Sequence, residues 1–209
     1  MKVIVFGSTG GTGRQLVQQA LAAGHAVTAF ARHPESHFSP SANLTTVRGD
    51  TSDPQAVERA IAGHDAVLCA LGGSPLRRGE RVCATAMGHI VPAMQRQQVR
   101  RVVAISTFGA GDTRAHVGWF PQHVLFGLVL ATEVADKEAM EGLLAASALD
   151  WTTVRIGVLS DAPPKGSWRA ADDGSIRGMG KVARGDVAAF MIQQLKGQEW
   201  LRRRPVLQY

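Results

Sequence analysis

The sequence predicts an α/β fold in which helices cover both faces of a parallel β-sheet. Short apolar runs rich in valine, isoleucine and alanine alternate with longer segments whose apolar residues recur at helical spacing. Strands buried on both faces read as continuous apolar runs, so this alternation is typical of a parallel sheet. The first run, KVIVF, leads directly into a glycine-rich loop, GSTGGTG at residues 7–13, which marks a turn between a strand and a helix.

The strands and helices follow one another in regular order up to residue 156. We expect helices over 12–23, 54–62, 80–98 and 133–147, each lying between two strands. Asp53 before Pro54 is a helix-start signal, and Gly24 and Gly63 are helix-stop signals. The predicted strands are Lys2–Phe6, Ala26–Ala31, Leu44–Val47, Ala66–Ala70, Val102–Ser106 and Trp151–Ile156.

The alternation weakens after Ile156. Residues 157–182 contain PPKGSW and DDGS, which favour turns, and we expect a lid or hairpin there. A helix over Arg184–Lys196 and a short strand at 205–208 follow. The sequence thus predicts a single domain over 1–209, with a small C-terminal elaboration on the substrate side of the sheet.

The composition fits a globular, cytoplasmic protein without a membrane partner. Of 209 residues, 45% are hydrophobic and 19% are charged. The apolar stretch at 119–131 is too short to span a bilayer, and the apolar start of the chain stops at Gly7 without a signal-peptide pattern. We expect a monomer or a weak homodimer.

The charge of +6 does not indicate nucleic-acid binding, because the cations are dispersed and no basic stripe carries interleaved aromatic residues. Attraction of an anionic cofactor accounts for the same charge.

Cys69 and Cys83 are expected as buried free thiols, with a redox pair as the alternative. No metal site is expected, since His33 and His37 have no third ligand nearby.

The glycine loop has the spacing of a dinucleotide-binding turn in a Rossmann-type, doubly wound sheet. Gly7 permits the tight turn, Gly10 lets the backbone approach a pyrophosphate, and Gly13 lets helix and strand pack closely. The phosphates would lie at a helix N-terminus, where Thr9 and Thr12 add hydroxyl donors. The alternative is a glycine-rich turn without a ligand.

The end of the second strand indicates which dinucleotide binds. An acidic residue there accepts the ribose 2′-hydroxyl of NAD, whereas a basic residue accommodates the 2′-phosphate of NADP. The run VTAFAR ends in Arg32, and the first acid is Glu35. We therefore predict NADP(H), against the alternative that Arg32 is an ordinary surface cation.

Several further segments carry a family resemblance. With the glycine loop, they resemble the atypical short-chain dehydrogenase/reductase group, and are most similar to its NAD(P)H-binding flavin reductases and biliverdin-IXβ reductases, with NmrA-like proteins close behind. The segments are GDTSDPQAV at 49–57, AGHDAVLCALGG at 62–73, VVAIST at 102–107, SALDWTTVR at 147–155 and ARGDVAAFM at 183–191.

The resemblance implies a set of cofactor contacts at the carboxyl ends of the strands. Ser106 and Thr107 would lie near the nicotinamide, although Ser106 could simply satisfy buried backbone and Asp50 could simply cap a turn. The implied contacts are Gly7, Thr9, Gly10, Thr12 and Gly13 at the pyrophosphate, Arg32 at the 2′-phosphate, Asp50 and Thr51 at the adenine, Leu71, Gly72 and Gly73 beneath the cofactor, and Ile156, Gly157 and Val158 over the carboxamide.

The chain departs from typical short-chain dehydrogenases in its catalytic residues. Those enzymes use a Tyr-x-x-x-Lys pair, but here the only tyrosine is Tyr209. The matching spacing is Glu133-x-x-x-Lys137, which is either an ordinary helix-surface pair or keeps Lys137 for the nicotinamide ribose. Ile156 and Val158 stand where the related reductases often carry proline and histidine, which argues against a biliverdin-type substrate.

The resemblance implies an NADPH-dependent reductase of a planar acceptor such as a flavin, quinone or tetrapyrrole. Hydride would pass to a stacked ring, and solvent or Thr107 would supply the proton. The apolar segment Trp119–Leu130 is either core or the roof of the acceptor pocket. The alternatives are an NmrA-like NADP(H)-binding redox sensor without turnover and a biosynthetic ketoreductase or isomerase.

Overall fold

The computed structural model describes residues 1–39, 41–72, 81–117 and 131–209. Strands and helices alternate along these ranges, with short 3₁₀ helices at Pro34–Ser36 and Gly111–His116. The strands are β1 (Lys2–Phe6), β2 (Ala26–Ala31), β3 (Leu44–Arg48), β4 (Ala66–Cys69), β5 (Arg101–Thr107), β6 (Asp150–Ile156), β7 (Val158–Ser160), β8 (Arg169–Ala171), β9 (Lys181–Ala183) and β10 (Val206–Gln208). The helices are α1 (Gly11–Ala22), α2 (Pro54–Ile61), α3 (Val82–Arg96), α4 (Ala131–Ala145) and α5 (Arg184–Gln193).

Local signals in the sequence fix several of these boundaries. The carboxylate of Asp53 accepts hydrogen bonds from the backbone N–H groups of Gln55 at 2.9 Å and Ala56 at 3.2 Å, which caps α2. Gly24 and Gly63 follow their helices with positive φ angles of 79° and 73°, a conformation that glycine adopts without strain. The predicted start and stop signals are therefore confirmed.

The predicted fold class is confirmed. The main sheet has the order β3-β2-β1-β4-β5-β6-β10-β8, and every pairing in it is parallel except β10 with β8. The chain winds outward from β1 to β3 and then returns to place β4 on the other side of β1. This reversal creates a switch point between β1 and β4, where open α/β sheets bind their ligands.

Both faces of the sheet are buried, and this explains the unbroken apolar run in β1. Val3 and Val5 pack with residues of α1 and α5 on one face, whereas Ile4 and Phe6 pack with residues of α2, α3 and α4 on the other. A residue on either side of the strand is thus removed from water, so no polar position alternates with the apolar ones.

Three short strands lie at residues 158–183, and they do not form a hairpin, which was one of the two alternatives expected there; the other, a lid, stays a prediction. β7 pairs with β9 in parallel, which a hairpin cannot do, and β8 joins the main sheet antiparallel to β10. Gly157 and Gly180 let β7 and β9 approach: Val158 donates its N–H to the carbonyl of Gly180 at 2.9 Å, and a Cβ on Gly157 would lie 2.7 Å from that oxygen. The sequence shows the turn residues but not this parallel pairing.

Within the described ranges, no helix is long and apolar enough to cross a membrane.

Candidate functional site

A cavity of about 560 Å³ opens at the carboxyl ends of β1 to β4, at the switch point of the sheet. Its volume is in the range of small-molecule and cofactor sites. The loops that follow four parallel strands and the first turn of α3 line it. The lining residues are Gly7, Thr9, Gly10, Phe30, Ala31, Arg32, Gly49, Asp50, Thr51, Ser52, Ala70, Leu71, Gly72, Arg81, Val82 and Thr85.

The glycine loop is shaped by close backbone contacts. Gly7 has a φ of 74°, and a Cβ there would lie 2.7 Å from the carbonyl oxygen of Ala70. A Cβ on Gly13 would overlap the carbonyl oxygen of Gly7, so Gly13 brings α1 against the loop. Gly7, Thr9 and Gly10 line the cavity, whereas Thr12 and Gly13 are buried behind it.

Arg32, the residue predicted to contact the 2′-phosphate, lies at the wall of the cavity. It is exposed, follows the last residue of β2, and lines the cavity together with Phe30 and Ala31. A guanidinium presents several N–H donors that match phosphate oxygens, so this position suits a 2′-phosphate.

The loop after β3 forms the far wall and is held in place by its own contacts. The Oδ1 atom of Asp50 accepts hydrogen bonds from both the N–H and the hydroxyl of Ser52, each at 2.9 Å, so Asp50 caps a turn as well as lining the cavity. The Nδ1 atom of His89 donates to the carbonyl of Thr51 at 2.8 Å. A Cβ on Gly49 would lie 2.5 Å from the ring of Phe30, so a side chain there would displace that ring.

Lys137 lies beneath the loop after β4. Its side chain is buried, with the residue 3% exposed, and its Nζ atom donates to the carbonyls of Leu71 at 2.7 Å and Ile105 at 2.9 Å. The interpretation of Glu133 and Lys137 as a helix-surface pair is therefore wrong, because only Glu133 is exposed. Lys137 instead joins the ends of β4 and β5.

The residues predicted for the nicotinamide end lie along the same sheet edge but do not line the cavity. Ser106 is buried, and its hydroxyl has no hydrogen-bond partner among the described residues. Thr107 is half-buried and donates to the carbonyl of Phe108 at 3.3 Å. Gly73 and the segment Trp119–Leu130, the predicted roof, lie outside the described residues.

The three residues predicted over the carboxamide have different surroundings. The side chain of Ile156 packs in the core beneath the sheet, and its carbonyl accepts a hydrogen bond from Phe108. Gly157 packs against Gly180, and Val158 is exposed.

Tyr209 is engaged in a structural role. Its hydroxyl donates to Asp186 at 2.5 Å and accepts from the backbone N–H of Ala183 at 3.1 Å. Burial and the neighbouring Asp186 carboxylate raise the pKa of Tyr209. The phenol is thus held to α5 and β9 in its protonated form.

Both cysteines are buried free thiols, as predicted. Burial raises the pKa of Cys69 and raises that of Cys83 to about 12, so neither thiol is a thiolate at neutral pH.

The first turn of α3 is a part of the site that the sequence did not predict. Arg81, Val82 and Thr85 line the cavity, and the carboxylate of Asp136 on α4 fixes this turn by accepting the N–H groups of Cys83 at 2.9 Å and Ala84 at 2.8 Å. The available signal was topological: a helix that follows β4 begins at the edge of the sheet where ligands bind.

The sheet order, the glycine loop and a cavity at the switch point together define a dinucleotide-binding protein of the Rossmann class. A family model for NAD(P)H-binding proteins matches residues 7–198, which begin at the first glycine of the loop. The chain belongs to this NAD(P)H-binding family.

The chain is also similar to a relative in sequence and to solved structures that share its fold. The chain is 29% identical over 206 residues to the uncharacterized chloroplastic protein At2g34460 of Arabidopsis thaliana, covering 95% of this chain and 73% of the relative. The anaerobilin reductase ChuY from Escherichia coli O157:H7 superposes with a TM-score of 0.84 at 22% identity, covering 100% of this chain and 97% of ChuY. A short-chain dehydrogenase/reductase from Veillonella parvula, in complex with NADP, superposes with a TM-score of 0.82 at 18% identity, covering 100% and 94% of the two chains.

Proposed function

We propose that the protein is an NADPH-dependent reductase that transfers hydride to a planar acceptor such as a flavin, a quinone or a tetrapyrrole. The observation that carries the proposal is the cavity at the switch point, which combines the glycine loop with Arg32 at the end of β2. Membership of the NAD(P)H-binding family supports the cofactor, and the similarity to a protein named an anaerobilin reductase supports the acceptor class.

Different residues along the edge of the sheet would bind different parts of the cofactor. The loop around Gly10 and the N-terminus of α1 suit the pyrophosphate, because unpaired N–H groups and the helix dipole favour anions. Arg32 would take the 2′-phosphate, and Asp50 and Thr51 would face the adenine. This arrangement would direct the nicotinamide half toward the ends of β5 and β6.

The chemistry needs few side chains. Bound NADPH would supply a hydride from its nicotinamide ring, and a conjugated planar acceptor can take it without a tyrosine acid. Thr107 at the end of β5 would donate the proton, or solvent would. The wall on the nicotinamide side of the cofactor would be formed by Ser106, Ile156, Gly157 and Val158.

Replacing Arg32 with glutamate should reverse the coenzyme preference, because a carboxylate repels the 2′-phosphate and accepts the 2′-hydroxyl of NADH. Loss of a charge-assisted contact should weaken NADPH binding at least about tenfold, as measured by fluorescence titration. Arg48→Glu is the matched control, since Arg48 ends β3, is exposed and does not line the cavity. An unchanged NADPH-to-NADH ratio in Arg32→Glu would contradict the role of Arg32.

We further propose that Lys137 positions the β4 and β5 loops under the cofactor. Lys137→Met should lower the free energy of unfolding by about 2–4 kcal/mol, because two buried carbonyls lose a charged donor. The NADPH affinity should fall as well. Lys196→Met is the control on an exposed lysine. Urea unfolding and coenzyme titration give the two readouts, and wild-type values for both would contradict this role.

The proposed activity is tested by following NADPH oxidation with a panel of acceptors. The panel contains FMN, riboflavin, a quinone and a linear tetrapyrrole, each compared with a small aliphatic ketone. We expect saturable NADPH oxidation with at least one planar acceptor and none with the ketone. Saturable oxidation with the ketone alone would instead favour a carbonyl reductase, and tight NADPH binding without turnover would favour a sensor.

A further inference from the structure

Gly11 is a glycine that the dinucleotide-binding pattern does not require. The spacing of the loop uses Gly7, Gly10 and Gly13, whereas Gly11 is the first residue of α1 and lacks the left-handed backbone that would demand glycine. A Cβ at Gly11 would instead lie 2.6 Å from Nε and 2.7 Å from Cδ of Arg184. The side chain of Arg184 therefore crosses the backbone of the glycine loop at this point.

Helix packing holds Arg184 in this position. Arg184 is the first residue of α5, and α5 packs beside α1 through the buried cluster that includes Leu16 and Met191. The side chain of Gln19 on α1 also donates to the carbonyl of Gly185 at 2.9 Å. The first turn of α5 thus lies beside the later part of α1, and the side chain of Arg184 reaches from there to Gly11 at the N-terminus of α1. A guanidinium therefore lies beside a helix N-terminus, the kind of site that binds phosphate groups.

The partner of Arg184 in this structure is weakly held. Its Nη1 atom donates to Oδ1 of Asp161 at 2.7 Å, and the side chains of Arg184 and Asp161 are 27% and 88% exposed. In the described part of the chain, no second acceptor contacts Arg184. An exposed carboxylate contributes little as an ion-pair partner, whereas a phosphate can bind a guanidinium through two parallel hydrogen bonds.

We infer that Arg184 binds the pyrophosphate of the cofactor and that Asp161 is its partner only while the cofactor is absent. The inference extends the proposed function by adding a cation on the side of the loop reached from α5. It also gives Gly11 a role, since any side chain there would displace the guanidinium. Because Asp161 follows β7, the exchange of partners would release this part of the 157–182 segment when the cofactor binds.

A second contact limits how far the segment can move. Asp186, two residues after Arg184, accepts the backbone N–H groups of Lys165 at 2.8 Å and Gly166 at 2.9 Å. The first turn of α5 therefore contacts the segment at two points, one fixed by a buried carboxylate and one free to exchange. Asp161 can separate from Arg184 while the loop stays anchored at residues 165 and 166.

Titration of Arg184→Gln with NADPH and with NADH, without any acceptor, tests the inference. Both affinities should fall about tenfold, because both coenzymes carry the pyrophosphate and both lose a charged contact. Arg32→Glu should weaken NADPH alone, so the two arginines are distinguished by coenzyme. Arg169→Gln, at the exposed first residue of β8, is the matched control for the loss of one positive charge. Wild-type affinities in Arg184→Gln, or a loss confined to NADPH, would overturn the inference.

Asp161→Asn gives an independent test, because Asp161 is exposed and its loss leaves the core intact. Removing the competing carboxylate should tighten the binding of both coenzymes a few-fold, and unchanged affinities would overturn the exchange of partners. This arm holds even if Arg184→Gln fails to fold. Both arms measure binding alone: if no acceptor is reduced but the affinities change as stated, the reductase proposal fails and this inference stands.

Discussion

Replacing Glu141 with alanine should lower the free energy of unfolding by about 3–5 kcal/mol, because it leaves a buried arginine without its main partner. Glu141 on α4 binds Arg155 on β6 through two hydrogen bonds, Nε to Oε1 at 3.0 Å and Nη2 to Oε2 at 2.7 Å. The side chains are 5% and 2% exposed. Denaturant unfolding monitored by circular dichroism would measure the change.

The surroundings of Arg155 explain why the loss cannot be compensated. Burial works to lower the pKa of Arg155, but its hydrogen bonds and ion pairs with Glu141 and Asp112 outweigh this and raise it. Asp112 contacts Nη1 at 2.5 Å but is itself 73% exposed. Arg204, 3.1 Å from Oε2 of Glu141, would also lose its partner. Arg155 would then keep only the solvated carboxylate of Asp112 as an ion-pair partner.

The matched control is Glu58→Ala, which removes a pair of the same geometry at the surface. Glu58 binds Arg96 through two hydrogen bonds of 2.8 Å, but water reaches both side chains. Exposed pairs contribute little, so Glu58→Ala should unfold close to wild type. Equal losses for the two variants would show that burial of the Arg155 pair does not govern its effect.

Replacing Gly13 with alanine should abolish coenzyme binding and lower the free energy of unfolding by about 3 kcal/mol or more. The added Cβ would overlap the carbonyl oxygen of Gly7 and press on the backbone of Ser8. Backbone cannot move aside as a flexible side chain can, so the loop must separate from α1. Coenzyme titration and thermal unfolding would report the two effects.

Gly88→Ala on α3 and Gly142→Ala on α4 are the controls for Gly13→Ala. Both glycines are helical and an added Cβ meets nothing within 4 Å. Alanine is the better helix former, so each variant should gain up to about 1 kcal/mol and bind coenzyme normally. A Gly13→Ala protein that binds NADPH with wild-type affinity would contradict the geometry of the loop.

Local signals allowed most of the fold to be predicted. Continuous apolar runs identified β1, β2, β4, β5 and β6, because each is buried on both faces, and Asp53 with Pro54 located the start of α2. The parallel pairing of β7 with β9 could not be predicted, since it depends on Gly157 meeting Gly180, far away in the sequence. Patterns within a short window carry no information about such contacts.

Some residues of the candidate site could likewise be predicted from the sequence, and others could not. Gly7, Gly10, Arg32 and Asp50 follow strand ends at spacings that a sequence shows, and all of them line the cavity. The sequence left the position of Lys137 open, because Glu133 and Lys137 have the i and i+4 spacing of an ordinary surface pair. Only the packing of α4 against the sheet reveals that Lys137 points inward.

The contacts of Arg184 and Asp186 also could not be predicted from the sequence. They lie in a segment that marked the family resemblance, but their contacts with Gly11 and with Lys165 arise from helix packing across the domain. The resemblance indicated which segments matter without indicating what their side chains touch.

Single-turnover hydride transfer tests the central proposal most directly. Protein loaded with NADPH is mixed rapidly with an excess of a flavin or quinone, and the nicotinamide absorbance is followed for NADPH carrying deuterium at either C4 position. We expect rapid loss of the absorbance with a planar acceptor, slowed by deuterium at one C4 position only, because the protein would expose one face of the ring. Bound NADPH that stays reduced with every acceptor would contradict it.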